Sequence, residues 1–397
     1  MLRLKDTRHP NTASFLQSAI KVAEYFGFSS FDEAERRDAS QIRQMRERVR
    51  KNETDISFTR REERPLVVAA KRGALLARPE GESLLLWRIG NDLKSGVPTV
   101  SFELHIIGTQ SAIAEALLII VAHSITKEAG LPERVLSINN IGSPESSGRF
   151  VRDVSGFLRK HIESISTTLR PRAAIDPLGT LVALIERGHP VIPRSPQPME
   201  YLTEEERRRF WDLLEYLEMF GIPYELSPHV LGSRDCWAHS LFQISVVDQK
   251  GGSRIPIAFG GRYDPLATRF AASPLPAVTI SITCEVRGKI RPKRESVGTP
   301  SIYFAHLGPE ARRRSLGVLE NLRIAGIPVR HGFYHERIGE QMAAARRLAI
   351  PYILIMGHKE AMEGTILVRE VATNSQDAVP IDDLSHYLKR RRFLPVA

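Results

Sequence analysis

Between Gly232 and Leu266 the chain reads GSRDCWAHSLFQISVVDQKGGSRIPIAFGGRYDPL. Two alternating apolar runs flank a turn rich in Gly, Lys and Ser at 249–253, a pattern that predicts a β-hairpin with a loop of several residues. The second run ends in Gly260 and Gly261, which let the backbone approach a ligand or a neighbouring strand closely. Arg262, Tyr263 and Asp264 then supply a cation, a stacking ring and an acceptor. On spacing alone these residues read equally as a ligand pocket or as the salt-bridged end of a hairpin.

A chain of 397 residues exceeds one usual core and predicts two domains. Its 42% apolar content is that of a soluble globular protein. The formal charge of +10 favours a polyanionic partner without naming one. The cysteines, Cys236 and Cys284, are too few for a disulfide framework or a zinc pattern, which points to a reducing, cytoplasmic setting. The N-terminus has no apolar signal region, and the longest apolar run, 112–123, is too short to span a bilayer, so no membrane association is expected.

Taken in order, apolar spacing predicts a helix over 13–26 and a charged helix over 31–51 whose Arg and Glu residues make either a solvated face or a nucleic-acid arm. Strands are predicted at 65–70, 84–87 and 100–108, the last two paired antiparallel around a turn at 94–96. A long apolar helix at 112–129, a strand at 135–139 and an amphipathic helix at 150–165 follow. The proline-rich stretch 171–198 reads as a connection. Thr203 followed by three glutamates opens a helix with a capping residue, and Gly221 stops it. After the hairpin, 276–284 reads as a strand with a helix beginning near Glu285, and the basic stretch 287–300 reads as a domain linker. From 301 onward strands alternate with helical runs, which indicates a compact α/β domain.

Several ordered segments resemble the histidyl-tRNA synthetase family. Residues 259–266 are similar to its glycine-rich GRYD segment, and 232–243 fall where that family has its histidine-binding strand. SINNIGS at 137–143, PQPMEYLTEEE at 196–206 and GIPYELSP at 221–228 continue the match. At the C-terminal end GIPV (326–329), IGEQ (338–341), ARRL (345–348), IPY (350–352) and EGT (363–365) fall in family order. The resemblance implies an α+β fold: a class II synthetase-like antiparallel sheet with helices over 1–290, a helical insertion at about 144–220, and an anticodon-binding-like α/β domain over 299–397. It also implies a homodimer.

Adenylate chemistry needs cations on the ATP phosphates, and a bidentate arginine suits them best. In the family one arginine comes from a Phe-Arg-x-Glu pattern. The equivalent stretch here is placed at about 90–95, where Lys94 is the nearest cation and no Phe-Arg occurs. The family's third motif ends Gly-x-Glu-Arg. Here Thr283-Cys284-Glu285-Val286 delays the arginine to Arg287, which a helix would turn about a hundred degrees away. The Leu-Asp-Tyr-Tyr strand becomes Arg234, Asp235, Cys236 and Trp237, the arginine before it falls on Gly232, and a family glutamate falls near His105. Each lost cation or donor is worth roughly 3 kcal/mol, about a hundredfold or more in rate.

The resemblance therefore predicts a scaffold that has lost aminoacylation, with Lys94, Glu285 and Arg287 as the only catalytic candidates. The altered pocket would comprise His105, Arg234, Asp235, Cys236, Trp237, His239, Gly260, Gly261, Arg262, Tyr263 and Asp264. Such a protein would bind tRNA or another structured RNA, or a protein partner. Arg337, Lys389, Arg390, Arg391 and Arg392 are the RNA-binding candidates, although the basic tail equally caps a helix dipole. Two other readings remain: a divergent active histidine–tRNA ligase, for which ATP and Mg would be needed, and a pocket remodelled for another small ligand. Cys236 and Cys284, as strand neighbours lining the pocket or as inert buried thiols, give no metal set with His239. Gly332 argues against His331 and His335 sharing a helix face.

Overall fold

The computed structural model describes residues 1–31, 65, 68, 83–92, 98–131, 133–247, 252–271, 273–292, 300–333, 335 and 337–391. Their strands are β1 (Ser29–Ser30), β2 (Leu84–Asp92), β3 (Thr99–Ile107), β4 (Arg134–Asn140), β5 (Tyr224–Leu226), β6 (Ala238–Val247), β7 (Arg254–Arg262), β8 (Ala277–Glu285), β9 (Ile302–His306), β10 (Val329–His331), β11 (Tyr352–Met356), β12 (Thr365–Glu370) and β13 (Gln376–Pro380). The helices are α1 (Thr12–Tyr25), α2 (Ile113–Glu128), α3 (Pro144–Lys160), α4 (Arg170–Ile175), α5 (Pro177–Glu186), α6 (Glu204–Phe220), α7 (Asp264–Arg269), α8 (Pro309–Ile324), α9 (Ile338–Arg347), α10 (His358–Glu363) and α11 (Leu384–Arg390).

An eight-stranded sheet runs β1-β2-β3-β8-β7-β6-β4-β5, and a five-stranded sheet runs β10-β9-β11-β12-β13. The large sheet is antiparallel except where β1 meets β2 and β5 meets β4. The small sheet is parallel through β10, β9 and β11, then antiparallel to β13. The class is α+β, as the sequence predicts.

The cross-strand register gives the large sheet two unlike faces. Directly opposed residues share a face. One row set holds Trp87, Val100, Phe102, Leu104, Ile106, Val278, Ile280, Ile282, Phe242 and Ile244, all buried in one core with α1, α2 and α6. That core continues into the small sheet through Ile302, Phe304, Leu316 and Leu354. The opposite rows carry Arg88, Ser101, Glu103, His105, Thr279, Ser281, Thr283 and Gln243. At one end this second face turns apolar. Leu86, Ile107, Leu241 and Ala277 are buried there with Trp237 and with the α3–α5 side chains Phe150, Val154, Leu158 and Leu181.

Local chemistry explains the helix ends. Asn11 caps α1 by accepting from the Ser14 amide at 2.9 Å. In α6, Thr203 accepts from the Glu206 amide and Glu206 from the Thr203 amide, a reciprocal capping box. Gly221 then closes α6 in the left-handed region at φ 78°. The Glu206 carboxylate also accepts from the Ser143 amide and the Ser146 hydroxyl at 2.6 and 2.8 Å, tying the start of α3 to α6.

Several expectations need correction. Residues 171–198 hold α4 and α5 rather than a bare connection, because Asp176 accepts from the Gly179 amide and starts a new helix at Pro177. No helix starts at Glu285. The chain leaves β8 extended, and Thr12 fixes it by bonding both the amide and the carbonyl of Arg287. Residues 232–237 are a turn, not strand, with the Cys236 and Trp237 amides both donating to the Ser233 carbonyl. Pro65 and Val68 are helical where a strand was expected, and the rest of 65–70 lies outside the described residues. The turn at 94–96, most of the charged helix 31–51, and most of the 287–300 linker also lie outside them.

Candidate functional site

Arg88 sits on β2 directly opposite Glu103 on β3. Its Nη1 donates to Glu103 Oε2 at 2.7 Å, and the arginine side chain is 20% exposed while the glutamate is fully buried. The Ser101 hydroxyl donates to the other carboxylate oxygen at 2.6 Å. His105, one row further along, places Nε2 at 3.7 Å from Glu103 and Nδ1 at 3.3 Å from the Tyr263 hydroxyl. Burial alone would raise the Glu103 carboxyl, but His105, Arg88 and Ser101 together hold it at about 2. The glutamate is therefore ionised and its lone pairs are engaged.

Gly90 makes this arrangement fit. A Cβ at Gly90 would lie 2.3 Å from Glu103 Oε1 and 2.5 Å from the Ser101 hydroxyl. The carboxylate fills the space that a side chain at position 90 would occupy. Across the sheet, Arg254 also forms an ion pair on this face, with Glu225, which accepts from Ser137 as well.

A second ion network lies on the opposite face. Arg262 points into the helix layer and grips Glu115 of α2 in bidentate fashion, at 3.1 and 2.8 Å. It also donates to the Thr109 carbonyl and, at 3.4 Å, to Asp264. Arg209 of α6 pairs with the same glutamate. Burial would raise the Glu115 carboxyl, yet the two guanidiniums hold it at about 2. Asp264 accepts from the Ala277 amide at 2.7 Å, and burial leaves its carboxyl above the ordinary value. Thus Arg262 and Asp264 lace the hairpin to α2 and β8 and take no part in an open pocket. His239 lies near the same network, with φ 52° and backbone bonds to Gly142 and Ile141. Burial and the nearby Arg209 and Arg262 lower it to about 4, so it is neutral at physiological pH.

Trp237 decides what the glycine pair is for. The indole is 2% exposed and stands edge-on to Phe259 at 5.5 Å. A Cβ at Gly261 would meet the ring at 3.1 Å and the Ser240 carbonyl at 2.8 Å, and one at Gly232 would meet the ring at 2.3 Å. Gly260 faces the other way, where a Cβ would lie 2.2 Å from the Thr279 carbonyl. The glycines thus admit a tryptophan on one side and a strand on the other.

The remaining candidates scatter. Arg234 is exposed, and Asp235 pairs with Arg269 at the surface at 3.1 Å. Cys236 and Cys284 form no disulfide and are buried in different cores, on opposite sides of the sheet, so they are not neighbours. Burial raises the Cys284 thiol to about 12, which makes it inert. Glu285 accepts from the Leu4 amide at 2.8 Å, and Arg287 is exposed. Lys94 and Arg392 lie outside the described residues. Arg337, Lys389, Arg390 and Arg391 are all exposed, and Arg391 also pairs with Asp377 at 3.0 Å. Among the described residues no cluster of metal-ligating side chains forms, and no helix is long and apolar enough to cross a membrane.

Sequence reasoning missed Arg88, Ser101, Glu103, Glu115 and Arg209. The first three had a signal: Thr99, Ser101, Glu103 and His105 alternate with Val100, Phe102, Leu104 and Ile106, a two-residue period that sorts them onto one face. Trp87-Arg88 is also an aromatic–arginine pair just before 90–95, and Gly90 then falls where the Phe-Arg-x-Glu pattern has its glutamate.

Residues 302–391 match the family model described as an anticodon binding domain. The chain is 28% identical to histidine–tRNA ligase 1 of Shouchella clausii over 297 residues, covering 74% of this chain and 70% of that one. It is 27% identical to histidine–tRNA ligase of Bacillus licheniformis over 292 residues, 72% and 69% of the two chains. Among solved structures, apo histidyl-tRNA synthetase of S. aureus is similar at 20% identity, with a TM-score of 0.45 and 81% of each chain covered.

Proposed function

We propose that this chain, a divergent relative of the histidine–tRNA ligases, binds tRNA-like RNA and no longer attaches an amino acid to it. Residues 1–290 form the catalytic-like part, with a helical insertion at about 144–220, and 299–397 form the RNA-binding part. One observation carries the loss of chemistry: on the polar face of the large sheet, the cations Arg88 and Arg254 are each already paired with a glutamate. Adenylate formation needs unspent positive charge against phosphate. Further along the same face, Trp237 fills the space over Gly261 and Phe259. The anticodon-binding match and the formal charge of +10 support an RNA partner, whose binding would rest largely on phosphate contacts.

A second reading, a divergent but active histidine–tRNA ligase, is favoured by the presence of Arg88 on the polar face. The two readings separate in one experiment on the purified full chain. Histidine-dependent ATP–pyrophosphate exchange and tRNA charging are assayed beside tRNA binding at several salt concentrations. The proposal expects neither exchange nor charging, and tRNA binding that weakens steeply with salt. Charging well above background sinks it in favour of the ligase, and salt-insensitive or absent tRNA binding sinks the RNA-binding half.

A further inference from the structure

The polar face of the large sheet carries a carboxylate buried at its middle. Glu103 is buried at the middle of β3, and its oxygens are engaged by Arg88, Ser101 and His105. Position 90, opposite Ser101, must be glycine for this carboxylate to lie where it does, since any Cβ would stand 2.3 Å from Oε1. Arg88 keeps part of its side chain open to the face. An anion arriving at that open side would meet the guanidinium with a fixed negative charge directly behind it. Arg254, further along the face, pairs with Glu225, and both of these side chains are partly exposed.

We infer that Glu103 is a specificity-determining residue that closes this face to polyphosphates by neutralising Arg88 from within the sheet. The inference deepens the functional reading above and rests on it. A triphosphate within reach of Arg88 would bring several negative charges to within roughly 5 Å of the Glu103 carboxylate. At the effective dielectric of a partly buried site, each unit charge at that distance lowers affinity by about a hundredfold before salt screening. An uncharged polar ligand suffers no such penalty, so the face as built takes neutral groups over phosphates.

The test measures binding of ATP with Mg, and of inorganic tripolyphosphate, to the full chain by calorimetry at low salt. Wild type, Glu103→Gln and Gly90→Ala are compared, after thermal melts show that each variant is folded. Glu103→Gln removes the charge and keeps the shape. Gly90→Ala pushes the same carboxylate off the guanidinium from the other side and serves if the first variant does not fold. The expected result is about tenfold or more tighter binding of both probes to either variant than to wild type. Adding Arg88→Gln to Glu103→Gln should abolish the gain. Wild-type binding as tight as that of the variants overturns the inference, as does a gain that survives the loss of Arg88. Charging by the wild type would refute the functional reading, whereas unchanged probe binding in a non-charging protein refutes only the role of Glu103.

Discussion

Two arginines of one sheet each meet a buried glutamate, on opposite faces and with opposite consequences. Arg262 and Glu115 are both sealed in the helix layer, with Arg209 completing the network. Every group there is spent on holding the hairpin, α2 and α6 together. Arg88 and Glu103 pair on the polar face, with the glutamate buried and the arginine partly open. Arg262 and Asp264, from the most recognisable stretch of the sequence, belong to the first network. A recognisable motif here marks the scaffold, and the residues that define what the site accepts lie on strands whose motif had to be found by alternation.

Breaking the two networks should sharpen the contrast. Glu115→Ala leaves Arg262 charged and buried with only the longer Asp264 contact, and should cost about 3–5 kcal/mol of stability, read from the urea midpoint. Trp237→Ala opens a cavity over Gly261 and Phe259 and should cost about 3 kcal/mol or more. Should it cost less than ~1 kcal/mol, the indole would not be the packed plug described. Replacing Arg88 and Glu103 together by glutamine leaves no orphan charge and should cost less than either break, about 1–2 kcal/mol. If this double change proves as damaging as Glu115→Ala, the distinction between the faces fails. Arg172→Ala removes an exposed i,i+4 pair with Asp176 and should shift stability by only about 0.5 kcal/mol or less.

Acid should dissolve both networks alike. The folded carboxyls of Glu115 and Glu103 are held at about 2 against an ordinary value of 4.5. Depressed folded values mean that the stabilisation is complete above the ordinary value and is lost as pH falls from 4.5 towards 2. Urea midpoints should therefore be flat above about pH 5 and fall steeply below it, and Glu115→Gln should flatten that fall.

Much of the fold was legible because local chemistry and pattern agreed. Thr203 with Glu206 announced α6, and the alternating runs around the turn announced β6 and β7. The α/β alternation after Ser301 announced the small sheet. Sequence reading failed where tertiary partners decide. Asp176 restarts a helix inside a proline-rich stretch, and Thr12 captures Arg287 and keeps the chain extended beyond Glu285. In the site, Tyr263 and His105 do meet, while Arg262 and Asp264 turn to the helix layer, because a one-residue step along a strand reverses the face. That reversal could be assigned only once the register to β6 and β8 was known.

The proposed loss of adenylate chemistry rests on Arg88 and Arg254, the arginines described on the polar face, each being paired with a glutamate. Histidine-dependent ATP–pyrophosphate exchange by the purified full chain tests it most directly. The account predicts exchange indistinguishable from a histidine-free control. Exchange that rises with histidine and saturates would contradict it.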